Sequence, residues 1–210
     1  MQTTLKSQLP NIVSKYEKEL LKDWMDSQLS AATLRPDLIS ASELQKQSSD
    51  FLLLLCQAIQ AGNLWDISGH VWEPVRTMLT KLSASRARRG FRPSETAAFI
   101  FSFKRPLFDR LEQEIKDRHT LLNEIWLATV LLDKLGLHTT EAFQKTREEV
   151  IMHERERAEQ QVHELEGSKG ELQQQVHDLE LLEQAVVGRE LKLIALEKEL
   201  TKLKAEKNKP

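Results

Sequence analysis

The chain has 210 residues, 40% of them apolar and 30% charged, with a net charge of −2. That balance belongs to a soluble chain of one or two domains, and the near-neutral charge excludes a general attraction to polyanions. The longest apolar run, Phe51 to Cys56, falls short of the roughly 18 residues of a spanning helix, so no membrane span is expected. The N-terminal stretch MQTTLKSQLPNIVSKYEKEL lacks the apolar centre of a signal peptide, which makes the cytoplasm the expected location.

All four tryptophans (Trp24, Trp65, Trp72, Trp126), the one tyrosine and six of the seven phenylalanines precede residue 139. The core is therefore expected in residues 1–138, and the spacing there is helical throughout, with no convincing period-two alternation. A first helix is predicted over about 10–29, where Val13, Tyr16, Leu20 and Trp24 recur at three and four residues and Pro10 is tolerated in the first turn. A second spans about 42–61 and ends at Gly62; its centre, FLLLLC, is apolar on every face and is expected to be buried all round. The single cysteine, Cys56, lies in that run and reads as a small buried hydrophobe. A third helix is predicted over about 71–89, a fourth from Pro93 to about 116 with a kink at Pro106, and a fifth over about 120–135. Gly136 and Thr139-Thr140-Glu141 mark the expected end of this domain.

The stretch LSASRARRGFRPSETAAFIFSFKRPLF, residues 82–108, sets Arg86, Arg88, Arg89, Arg92, Lys104 and Arg105 among phenylalanines. Trp72, Val75, Leu79 and Leu82 form one helical stripe, and continuing its count reaches Arg86 and Arg89, while Arg88 points elsewhere. Two readings stay open. Cations in a last turn complement the helix dipole, and Gly90 suits a left-handed cap, which makes the stretch a structural corner. Alternatively these six residues form a surface for an acidic partner or an anion, since residues 76–110 hold nine Lys+Arg against Glu95 and Asp109. Nucleic acid is not expected, because the aromatics keep a core spacing, with Ala97, Phe101, Phe108, Leu111 and Ile115 on one predicted face.

The segment from Trp72-Glu73-Pro74 through MLTKLSASRARRGFRPSETAAFIFSFKRPLF resembles the N-terminal domain of the RsbR-type and RsbRD-type co-antagonists of the RsbT kinase, the sensory components of stressosomes. The resemblance implies a globin-like helical fold that binds no haem, dimerises, and passes a signal through a helix to an output domain. The STAS output domain of that pattern, with its phosphorylated threonines, has no counterpart in these 210 residues, so phosphorylation by RsbT is not carried over.

Residues 139–210 hold 12 Lys+Arg, 16 Asp+Glu and one aromatic, the composition of a long solvated helix. Ala158, Leu165, Leu172, Leu179 and Val186 repeat every seven residues, with Val162 and Val176 at the complementary position, which is a coiled-coil seam. Beyond Leu179 the frame shifts by three to Leu182, Val186, Leu193, Leu196, Leu200 and Leu203, a stammer that overwinds a supercoil locally. Gly167 and Gly170 weaken the helix, and Ser168 with Glu171 matches a capping box, so a break there is one expectation. There is no HExxH, CxxC, Walker or GxGxxG pattern, and no catalytic residue, metal site or cofactor is expected. The composite expectation is an all-α protein without enzymatic activity: a globin-like sensor of five to six helices over 1–138 and a coiled-coil helix over 139–210, acting as a homodimer on a separate signalling partner. A haem- or small-molecule-binding globin sensor, using His119 or His138, and a plain oligomerisation adaptor are the competing readings.

Overall fold

The computed structural model describes residues 7–31 and 35–207, with side chains as far as Thr201. In chain order the helices are α1 (Leu9–Lys15), α2 (Glu17–Leu29), α3 (Ala41–Ala61), α4 (Glu73–Arg88), α5 (Pro93–Phe101), α6 (Lys104–Glu114) and α7 (Arg118–Lys207), with a short 3-10 turn at His70–Trp72. No strand occurs among the described residues. The all-α fold class with a long final helix is as the sequence predicts.

Two predicted helices are each divided. The helix expected over 10–29 breaks at Tyr16, whose backbone leaves the helical region and whose hydroxyl donates to Glu114 Oε1 on α6 at 2.6 Å. The helix expected from Pro93 to about 116 stops at Phe101 and restarts at Lys104. Pro106 thus sits in the first turn of α6, where a missing N–H costs nothing, instead of kinking a continuous helix. The break also changes the face: Phe101 is 37% exposed, whereas Phe99 and Phe103, off the predicted stripe, are buried. The FLLLLC run of α3 is likewise not enclosed on all sides. Phe51, Leu52, Leu55 and Cys56 face inward, but Leu53 is 49% exposed along a groove edged by Pro74, Thr77 and Met78.

The core centres on Trp24, which is fully buried. Its ring lies 5.7 Å from Phe51, 5.0 Å from Phe99 and 5.0 Å from Phe103, within the range of favourable edge and tilted aromatic contacts. The indole N–H donates to Ser102 Oγ at 2.8 Å, so the one polar atom of the ring is satisfied where the α5–α6 break exposes a hydroxyl. Cys56 is buried as expected, and burial pushes its thiol up to about 12.

The first part of α7 belongs to this core. Leu127, Ala128, Leu131, Leu132 and Leu135 are buried, and the same face continues through Thr139, Phe143 and Thr146. The start signal expected at Thr139 is therefore absent: that hydroxyl bonds back to the Leu135 carbonyl at 2.7 Å inside the helix. The compact unit runs to Met152 and a second unit begins at His153, so the packed region extends beyond the expected boundary at 138. Gly136 ends nothing. It lies in mid-helix, and a β-carbon there would collide with the Phe101 ring.

Glu124 of α7 closes α1 from a distance of more than a hundred residues. Its carboxylate is buried and accepts from Ser7 Oγ at 2.6 Å, Gln8 N at 2.7 Å and Leu9 N at 3.3 Å. Gln8, the N-cap residue, supplies no side-chain cap of its own. A carboxylate at a helix N-terminus satisfies orphan donors and complements the dipole. Glu124→Ala is expected to lower the unfolding free energy by about 2 kcal/mol, read as a reduced urea midpoint with unchanged slope.

Asp117 opens α7 in the same manner, accepting from Thr120 Oγ1 at 2.7 Å and Thr120 N at 2.8 Å. The bond from the Thr120 hydroxyl, then that from its amide, holds the carboxyl below its ordinary 3.8. A carboxyl depressed in the folded state contributes stability above its unfolded pKa and loses it as pH falls through the lower folded value. Asp117→Ala should therefore flatten the acid limb of stability as pH falls below about 4, measured by urea unfolding across that limb.

Candidate functional site at the Arg86 corner

The last turn of α4 is closed by Gly90, with a φ of 87°, the left-handed conformation that glycine adopts without penalty. The amide of Phe91 donates back to the Arg86 carbonyl at 3.1 Å, the long bond of a Schellman cap. This turn folds the Phe91 ring onto the Arg86 guanidinium, with 5.2 Å from its carbon to the ring centroid. Phe99 of α5 supplies a second ring at 4.9 Å, and both distances suit cation–π attraction.

Arg86 is 4% exposed. Its Nη2 donates to Gln47 Oε1 at 3.1 Å, whereas Nε is fully buried without a hydrogen-bond partner among the described residues. Burial pushes the guanidinium down to about 10, a shift that Arg89 adds to and Glu43 opposes; the group remains a cation at neutral pH. The neighbouring charges are committed elsewhere. Glu43 accepts from Arg89 Nη1 at 2.5 Å and Nη2 at 3.2 Å, and from Gln47 Nε2 at 3.2 Å. Arg89 also reaches the Leu38 carbonyl. Arg35 grips Asp37 through two bonds of 2.9 and 2.7 Å and lies 3.5 Å from Glu95. Glu95 in turn accepts the Arg92 amide at 2.8 Å as it caps α5. Between these groups is a cavity of about 70 Å³, lined among others by Arg86, Phe99, Gln28, Arg35, Glu95 and Ser102.

The six basic residues of the stretch have separate environments. Arg86 lies in the core and Arg89 pairs with α3, so the predicted stripe holds for Arg86 and leads Arg89 to a surface ion pair. Arg88 and Arg92 have exposed side chains. Lys104 bonds Asp133 at 2.6 Å and stands 5.1 Å over the Phe101 ring. Arg105 is exposed, 3.9 Å from Asp109. Along the α7 seam, Leu165, Leu172, Leu179, Val186, Leu193, Leu196 and Leu200 are between 52% and 70% exposed; the Leu203 side chain lies outside the described residues. The helix passes through Gly167 and Gly170 without a break. His119 is exposed, and His138 Nε2 lies 3.1 Å from Thr80 Oγ1 and 3.3 Å from the Arg76 carbonyl. Nineteen residues of one helix separate them, roughly 28 Å, so they do not converge on a common ligand.

Sequence reasoning missed Gln47, Phe91 and Phe99 as partners of Arg86. The Gly90 signal placed the turn, but no local pattern shows which glutamine across the core will meet the arginine.

An all-α domain with a polar corner inside its core, running without interruption into a long exposed helix, has the build of a regulatory input domain. Residues 18–158 match the family described as the RsbT co-antagonist protein rsbRD N-terminal domain, and the chain belongs to that family. The match starts within α2 and ends inside α7, twenty residues past 138. No curated protein and no solved structure matches the chain.

Arg86→Glu buries a carboxylate against two ring faces and should cost about 3–5 kcal/mol, read by thermal or urea unfolding. Arg88→Glu and Arg92→Glu, on exposed side chains, should each stay within about 0.5 kcal/mol.

Proposed function

We propose that this chain is the sensory part of a cytoplasmic regulatory system, acting as a homodimer whose α7 helices pair as a coiled coil and hand a signal to a separate protein. The observation that carries the reading is the unpartnered apolar seam of α7. A row of leucines and valines at heptad spacing, more than half exposed in one chain, buries its surface when a second helix packs against it. Leu122 and Trp126, four residues apart on one face, and Leu137 add an exposed apolar face earlier on the same helix, Trp126 at 63% exposure. Family membership supports a sensory role, and a stressosome-type partner is the natural candidate for the output.

The mechanism uses the double duty of α7. Its residues 127–146 pack in the core, and its later residues carry the seam, so a change in core packing alters the helix that the partner reads. Such a switch needs two states within a few kcal/mol. The three-residue stammer after Leu179 supplies a place where two seam registers compete. No enzymatic step enters this proposal.

Sedimentation equilibrium of the full chain tests the assembly. The expected result is a dimer whose dissociation constant rises at least about tenfold when Leu172→Glu and Leu193→Glu are combined. A wild-type chain that stays monomeric at the highest concentration reached would refute the dimer, and an unchanged dimer in the double variant would move its interface off the seam.

A further inference from the structure

We infer that the cavity beside Arg86 binds a small carboxylate anion, of formate to acetate size. The inference rests on uneven pairing. Three guanidiniums and three carboxylates meet at this corner, but Arg35 takes Asp37 and Glu95, Arg89 takes Glu43, and Arg86 takes none among the described residues. Buried charges are ordinarily paired, because an uncompensated ion in the interior keeps its desolvation cost. A buried N–H without a partner, as at Nε, is the second sign of a missing acceptor.

The surroundings select the anion. Phe91 and Phe99 cover the guanidinium, so an acceptor approaches its edge, and a planar carboxylate matches that edge with two parallel bonds. The cavity of about 70 Å³ has room for a small anion. A carboxylate brings one charge to one guanidinium, whereas phosphate and sulfate carry close to two and keep a larger desolvation cost in a buried site. Ile39, Ala98 and Phe99 form an apolar wall for a hydrogen or methyl group, and Ser102 and Gln28 add polar lining. Arg35, with a third of its side chain exposed, is the charged wall closest to solvent. The site stands on the packing around Arg86, independently of the dimer and the coil; if the sensory reading also holds, the anion is the signal.

The test follows the Nε–H resonance of Arg86 in the full chain by NMR, assigned from its absence in Arg86→Lys. Sodium acetate is titrated against sodium chloride and sodium phosphate at matched ionic strength. The expected result is a saturable shift with acetate, much smaller with the other salts, and a melting temperature that climbs with acetate concentration. Ala98→Leu keeps Arg86 and fills the cavity, and it should abolish the response while the protein stays folded. Arg86→Lys keeps the charge without the fork, and its acetate-dependent stabilisation should need at least about tenfold more acetate. A resonance that acetate leaves unmoved, one that moves equally in chloride, or an Ala98→Leu protein that responds like the wild type overturns the site. Monomeric behaviour in the sedimentation experiment has no bearing on these outcomes.

Discussion

The position of Trp24 constrains most of the packed unit. Its ring is shared by Phe51 from α3, Phe99 from α5 and Phe103 from the joint before α6. A buried indole N–H demands an acceptor, and the acceptor is Ser102, whose hydroxyl gives its own proton to the Phe99 carbonyl and so has a lone pair open to the indole. The break between α5 and α6 therefore places both a hydroxyl and a phenylalanine against one tryptophan. Phe99 extends the arrangement outward, since it also carries the Arg86 guanidinium. The aromatic centre and the polar corner share a side chain, so the geometry of one bears on the other.

How much of this was legible in the sequence varies with the range of the interaction. The helical class, the limits of α3, and the left-handed turn at Gly90 follow from local spacing and glycine chemistry, and they match the structure. The inward placement of Arg86 followed from counting along a stripe. The breaks at Tyr16 and Ser102 did not, because each depends on a tertiary partner: Glu114 for the tyrosine hydroxyl and Trp24 for the serine. The same holds for Glu124, whose three bonds reach residues 7–9. Pro106 misled in a specific way. A proline inside an apparent helix signals a kink, but an unforeseen helix start two residues earlier, at Lys104, turns the same residue into an ordinary first-turn proline.

The corner also shows why a basic stretch is a poor guide to a surface. Of its six cations, one is in the core, one pairs with Glu43 of α3, one pairs with α7, and the rest face solvent. Their joint appearance in sequence comes from two helix ends lying close together in the chain. What distinguishes Arg86 is its shortage of partners. The family match spans the whole corner.

Gly136 has a wider consequence through Phe101. Successive helical residues turn by about 100°, so one residue inserted or deleted between Arg118 and Leu135 would swing Gly136 away and bring a side chain beneath the phenylalanine ring. It would also rotate the buried positions that follow the change, through Phe143 and Thr146, relative to those that precede it. The early part of α7 should accordingly reject single-residue length changes even at exposed positions such as Asn123, and tolerate substitutions there freely. Between Arg118 and Leu135 this contact constrains the length of the helix, and at position 136 it constrains the residue as well.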